Sequence, residues 1–429
     1  MATDVDVQYF SHLNGLTLGN NWGDLIRLLD KALVTGLDFT QITAASIDAQ
    51  GDAHITLYAA HNAMLFQVVE LSGFTPASLN QKYRIKGVPN TTQLILKPET
   101  DIVERSITAV GSGKLTSLGY DIIFRDTGDT KRVYRAKKPS AQHPFIRVDE
   151  SLTSADGTTG IYASTYAKYA MVGLLEHMEH IDDYENPDVL QLPFDPNDPA
   201  KNWRIKGTGS SVVRGWSRWH WARGGTSTTQ GNISDKGEPD AGQRPFTLVG
   251  DRDAFWFLRS LISSSLAPQQ KLLSGCGIFD GVLKENNIPD WFLSTILTNN
   301  TANTASDIAL SNGGGALASD ILNRSALFVA KQNAVNKLSA HVDAYPIVPD
   351  SNSGLSGIFA SSIVSALEIP VYDQGAYLRG TLKHVGYSGH IFSFTTTTPL
   401  IADNYMYVAD RAITNNGHGG FYFYLGELE

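Results

Sequence analysis

Gln243 to Leu258 reads QRPFTLVGDRDAFWFL, and its pattern decides the fold class. Phe246 and Leu248 alternate with Thr247 and Val249, the period-two signature of a strand. Gly250-Asp251-Arg252-Asp253 supplies turn residues, and Ala254 to Leu258 is an unbroken apolar run. A run that short fits a strand buried on both faces, so the stretch predicts a hairpin. Just upstream stand four of the seven tryptophans, Trp203, Trp216, Trp219 and Trp221. Side chains of that size dominate a core or an interface, which places the apolar centre of mass here.

The totals bound the answer. The chain has 429 residues, 42% hydrophobic and only 18% charged. That length allows two or three domains, and Ser, Thr, Asn and Gly in place of charge suit many short strands. A net charge of −9 argues against dedicated nucleic-acid binding, which needs a basic excess. Cys276 is the single cysteine, so no disulfide forms within the chain. No secretory n-region and h-region open the sequence, and no apolar stretch is long enough to predict a membrane span.

Residues 20 to 36 predict a helix. Asn20 or Asn21 is the expected cap, with Asp24 in the first turn and Gly36 at the end. Trp22, Leu25, Ile26, Leu29 and Leu33 form one apolar face, to be covered by the chain itself or by a neighbouring subunit. From Phe39 to Val110, Ala53–Ala59, Leu65–Leu71, Gln81–Val88 and Thr92–Leu96 predict strands of a small sandwich or barrel. Gly111 to Gly119 reads as a linker. Tyr120–Phe124, Lys131–Tyr134 and Phe145–Val148 predict further strands, whereas residues 161 to 182 fit helix and strand equally. Loops are expected at 182–202 and 224–242, a strand at 274–283, and a partly helical insertion at 284–345, from Pro289–Leu297 and Ser319–Ala340. Strands return at Gly357–Ser362, Tyr377–Lys383, His390–Phe394, Tyr405–Ala409 and Phe421–Leu425.

Several phrases, in order, resemble a family of tailed-bacteriophage virion structural proteins associated with tail and baseplate. Val5 to Leu37, VDVQYFSHLNGLTLGNNWGDLIRLLDKALVTGL, is similar to the family's opening, a Tyr-Phe pair before a helix of the type LIALLDACLV. Ala59 to Ile85, Leu118 to Arg135 and Phe145 to Ser151 continue the resemblance. Arg244 to Phe257 is its best-defined block, and Leu378 to Tyr387 resembles a late RGYLPG segment without its Pro-Gly pair. The likeness covers about two thirds of the chain and departs from it at 202–223 and 284–345. It implies a virion part, assembled in the host cytoplasm.

Motifs of chemistry are weak. Gly111-Ser112-Gly113-Lys114 lacks the first glycine of a phosphate loop and its Ser/Thr after the lysine, so a linker turn is the better reading. His177 and His180 are three apart, not the four of a zinc-peptidase helix, and no third ligand is identifiable. Trp216, Trp219 and Trp221, interleaved with Arg214, Arg218, His220 and Arg223, fit a glycan-stacking platform or a tryptophan core with arginines over the rings. Asp182-Asp183 and Asp195/Asp198 read as solvated loop carboxylates.

The sequence therefore predicts a mainly β protein in three parts. Residues 1–38 form an arm and docking helix, 39–112 a small β-sandwich or barrel, and 113–429 a larger β-sandwich or barrel with the partly helical insertion. The expected function is that of a non-enzymatic virion structural protein at the tail, baseplate or neck, without cofactor or metal. Its partners are other virion proteins and further copies of itself. The helix face from Trp22 to Leu33 is the candidate subunit interface. The alternative is a host-glycan receptor-binding or capsid-decoration module, such as a tail fiber, contacting glycan through Trp216, Trp219 and Trp221, and a more distant one is a polysaccharide depolymerase.

Overall fold

The structure is a computed structural model. It describes residues 3–154, 156–158, 160–208, 212–224, 232–233, 237–283, 288–294, 308–309, 327–332, 338–347, 364–389, 393–415 and 418–428. Among the described residues the chain is mainly β, built on three large antiparallel sheets and two of two strands, with one short α-helical segment near the N-terminus.

The predicted hairpin sits inside the largest sheet. Phe246–Gly250 pairs with Ala254–Ser260, from Phe246 opposite Arg259 to Gly250 opposite Phe255. Both strands are buried along their whole length, so Thr247 lies inside as well as Leu248, and the alternation does not mark a solvent face. The N-terminal arm strand Gln8–Ser11 pairs with Phe246–Gly250 and forms one edge of this 13-stranded sheet. The sheet then runs outward through Lys271–Ile278, Trp291–Ser294, Leu327–Val329, Val342–Pro346, Leu367–Asp373, Leu378–Ser388, His418–Glu427, Tyr405–Asn415 and Thr398–Ala402.

The described residues of 284–345 correct the helical expectation. Trp291–Ser294 and Leu327–Val329 are buried strands that carry the sheet from Lys271–Ile278 to Val342–Pro346. Short apolar runs such as WFLS do not distinguish helix from strand by spacing, and pairing to a waiting edge decides them. Residues 295–307, 310–326, 333–337 and 348–363 lie outside the described set, and with them most of Ser319–Ala340 and all of Gly357–Ser362.

Residues 37–115 form a seven-stranded sheet in the order Leu37–Asp38, Ser112–Leu115, Val68–Ser72, Lys82–Asn90, Gln93–Pro98, Ala53–Leu57, Ile42–Ile47. The expected linker at Gly111 is thus a strand. Leu115 lies opposite Val69 and Lys114 opposite Glu70, with Lys114 Nζ 3.3 Å from the Glu70 carboxylate. The third sheet holds Tyr120–Arg125, Lys131–Ala136, Phe145–Asp149, Lys168–Leu175 and Gln191–Leu192, with Arg218–Ala222 also on Lys168–Leu175. The ambiguous 161–182 segment is therefore a strand where it is regular.

The helix is real but shorter than its pattern: Asp24–Leu29 is α-helical and Asp30–Thr35 continues as a π-helix. Gly36 ends it at φ +72°, and a Cβ there would stand 2.1 Å from the Leu115 carbonyl oxygen, so only glycine fits. Neither Asn20 nor Asn21 caps it. Gly23 is the N-cap residue with no side chain to offer, and the Glu150 carboxylate accepts from the Gly23 and Ile26 N–H groups instead. Burial is the main cause that lifts the Glu150 carboxyl from 4.5 to about 7, against the pull of those two N–H groups.

A carboxyl raised in the fold binds its proton more tightly there than in the unfolded chain. The fold is then free of this cost below pH 4.5 and bears it increasingly up to pH 7, amounting to about 3 kcal/mol. The stability difference between wild type and Glu150→Gln should therefore shift in favour of the variant as pH rises from 4.5 to 7. Urea denaturation across that window checks it, and parallel curves for the two proteins would contradict the assignment.

One apolar cluster joins residues from Phe10 to Phe328, among them Leu25, Ile55, Tyr134, Trp219, Phe255 and Leu293. A second lies under the C-terminal half of the large sheet, with Trp256, Phe292, Val371, Val408 and Phe423.

Candidate functional site

The helix face is not a free surface. Leu25, Ile26, Leu29 and Leu33 are fully buried in the chain's own core, and Trp22 is half-buried with its Nε1–H donated to the Ser164 carbonyl. Of the two covers considered, the chain itself supplies the one seen. The sheets on either side close over the stripe, as an amphipathic segment between two β layers requires. Leu25→Asp with Leu29→Asp would break the fold before it reported on docking.

The tryptophans are also core. Trp219 and Trp221 are fully buried on Arg218–Ala222, with the Trp219 Nε1–H donated to the Ser294 carbonyl at 2.9 Å. Guanidiniums lie over rings as the second reading required: Arg214 is 4.4 Å from the Tyr169 ring and Arg147 is 4.4 Å from the Trp203 ring. Trp216 is half-buried, with Lys201 Nζ 4.5 Å above it and His341 edge-on at 5.3 Å. With two of its three rings sealed, the platform for a glycan at Trp216, Trp219 and Trp221 is not there.

The remaining motifs resolve into local pairing. His177 lies against Phe145 edge-on, and Asp198 holds Arg204 with two bonds of 2.5 and 2.7 Å. Asp182 bridges Lys131 and Arg147. Among the described residues, no group of three or more His, Cys, Asp or Glu is arranged to hold a metal ion. Among them, too, no helix is long and apolar enough to cross a membrane.

What the structure does assemble is a groove of about 700 Å³ on the outer face of the large sheet, beside the turn of the central hairpin. Its floor comes from the last hairpin. Met406, Val408, Phe421, Phe423 and Leu425 point into the second core, so the alternate positions Tyr405, Tyr407, Tyr422 and Tyr424 point outward. Tyr407 is directly opposite Tyr424. Ring centroids are 5.7 Å apart for that pair and 6.0 Å for Tyr405 and Tyr424. Burial, with the nearby Glu427 charge, lifts the Tyr424 hydroxyl to about 12, so the phenol stays neutral.

The groove's polar end is the hairpin turn. Asp251 Oδ1 accepts from the Asp253 and Ala254 N–H groups at 2.8 and 3.0 Å, which fixes the turn. Asp251 Oδ2 stands 3.1 Å from His384 Nε2, in the approach of an ion pair rather than an aligned hydrogen bond. His384 has φ +62° within its strand, a conformation few non-glycine residues hold. Burial pushes the Asp251 carboxyl up, but His384 and the Ala254 N–H outweigh it and keep it below the ordinary range. Asp253 takes a 2.8 Å hydrogen bond from His143 Nε2, whose Nδ1 accepts from the Ser140 N–H, and a 3.0 Å contact from Lys383 Nζ. The His143 bond is the main reason its carboxyl is held far below the usual range. Burial works against the Lys383 charge, yet Asp253 and Asp280 outweigh it and raise the ammonium.

These tyrosines were readable in principle. Tyr405-Met406-Tyr407-Val408 and Tyr422-Phe423-Tyr424-Leu425 alternate strictly, which marks an aromatic outer face and not just two core strands.

Comparison with known proteins adds little. No family model and no curated protein match the chain. Among solved structures it is similar to the phage phi92 endosialidase at 11% identity and a TM-score of 0.15, over 99% of this chain and 52% of that one. The chain thus spans about half the length of that protein, and at such a TM-score the likeness carries nothing over to this fold or site.

Proposed function

We infer that the chain is a non-enzymatic structural subunit of a tailed-phage particle, at the tail, baseplate or neck, and that it works by associating with neighbouring subunits. The virion assignment rests on the ordered sequence resemblance. The mechanism rests on one observation, an apolar corner of the large sheet that is exposed among the described residues. Tyr345 lies opposite Tyr372, and Tyr372 opposite Leu378, so the three side chains form a row across adjacent strands on one face. Tyr345 and Leu378 are 37% and 43% exposed, and Ile347, two residues along the same face, is 50% exposed. Val282 and Leu283, 50% and 47% exposed, stand next to the Leu378–Ser388 strand, where the Val282 N–H bonds the Arg379 carbonyl. Contiguous apolar surface of this kind, rich in tyrosine, suits burial against another protein.

The pair Tyr345→Lys and Leu378→Lys tests it. Both side chains are exposed, so the variant's stability should change by no more than about 1 kcal/mol. Particles grown with the variant as sole source should lack the protein or fail to assemble. Incorporation at the wild-type level would contradict association through this corner.

A further inference from the structure

The geometry points to a second surface role, and we propose that the tyrosine groove binds a neutral carbohydrate chain. This goes beyond the assembly reading and does not depend on it.

Three observations carry it. The first is the floor. Tyr405 is 41% exposed, and Tyr407 and Tyr424 are half-buried, so ring surface faces the groove while the rings pack on one another. Tyr422 is buried beneath, 6.4 Å from Tyr407 and edge-on. Rings held in this way lose little freedom on binding and offer flat apolar surface with a polar rim. A pyranose has the matching shape, C–H groups on its faces and hydroxyls around its edge.

The second is the wall. Along it stand Thr381, Lys383, Asp251, Asp280 and Glu368. They supply both donors and acceptors, and the Lys383–Asp253 ion pair and the 3.1 Å contact of Asp251 with His384 hold two of them in place. Polar groups fixed by their own partners can recognise hydroxyls without being left as bare buried charges.

The third is the sign of the charge. Asp251, Asp280 and Glu368 outnumber Lys383, with His384 adding charge only when protonated, in a chain whose net charge is −9. A sulfated, phosphorylated or carboxylated polymer would meet like charge, which disfavours it. A wholly apolar ligand would strip water from the carboxylates without replacing their hydrogen bonds. The groove volume lies in the range of ligand sites.

The test is titration calorimetry of the purified full chain with a panel of neutral oligosaccharides, an acidic oligosaccharide panel of equal length, and a tetralysine peptide. Neutral oligosaccharides should bind with dissociation constants at or below about 1 mM. Because no charge is paired, that affinity should be unchanged between low and high salt. Tyr405→Ala with Tyr424→Ala should weaken it roughly tenfold or more, while Tyr405→Phe with Tyr424→Phe retains it. Thermal melting confirms that both variants fold. Absence of neutral binding up to about 10 mM would overturn the proposal. So would affinity indifferent to the alanine pair, or salt-sensitive capture of tetralysine or of acidic sugars in preference. Loss of carbohydrate binding without loss of incorporation into particles would leave the assembly reading standing, and the converse separates them equally.

Discussion

Arg84→Ala is expected to lower the unfolding free energy by at least about 4 kcal/mol and to free both chain ends. Arg84 is fully buried on the Lys82–Asn90 strand. Its Nε donates to the Asp4 carbonyl at 2.8 Å, its Nη1 to the carbonyls of Val7 and Phe66 at 2.9 and 2.8 Å, and its Nη2 to the Leu425 carbonyl at 3.0 Å. One guanidinium therefore ties the N-terminal arm, the small sheet and the last strand together. Removing it leaves four carbonyl oxygens facing a cavity, and each unmet buried group costs about 1–3 kcal/mol. Arg84→Lys should be nearly as damaging, because an ammonium cannot reproduce the planar fork. Denaturant melts measure the loss. Limited proteolysis should show early cleavage near residues 4–8 and at the C-terminus, and an unchanged midpoint with protected ends would contradict the stapling role.

Trp256→Ala should cost about 3–5 kcal/mol. The indole is fully buried and stacked on Phe292, centroids 5.0 Å apart at 23°. Its Nε1–H is donated to the Lys383 carbonyl at 2.9 Å, directly before His384 with its positive φ. The substitution opens a cavity in the second core and orphans that carbonyl. The damage should reach the groove, since Lys383 and His384 are the residues that hold Asp253 and Asp251. Trp256→Phe keeps a ring over Phe292 but loses the donor, for which about 1–2 kcal/mol is expected. Equal melts for wild type and both variants would remove this account of the hairpin's weight in the fold.

The hairpin was legible from the period of its first strand, its turn residues and the unbroken apolar run of its second, though the burial of Thr247 was not. The helix from Asp24 was legible from its stripe, but its cap was not. Glu150 reaches Gly23 from just beyond the end of a strand over a hundred residues away, and no local pattern announces such a partner. The strands at Trp291 and Leu327 were misread because short apolar runs take the form that a neighbouring edge offers them. Burial was the hardest quantity to read. The stripe from Leu25 to Leu33 and the tryptophans at 219 and 221 look the same in sequence whether the chain or a partner covers them. The groove was half visible, in the alternation of Tyr405 with Tyr407 and Tyr422 with Tyr424, but the turn at Asp251 is brought beside it only by the sheet order.

A resident part of a phage particle must be found in the particle itself. Quantitative mass spectrometry of gradient-purified particles tests it most directly. The chain is expected at a fixed, multiple-copy ratio to the major capsid protein, retained through high-salt washing. Its absence from intact particles, with the polypeptide found only in the soluble lysate, would contradict it.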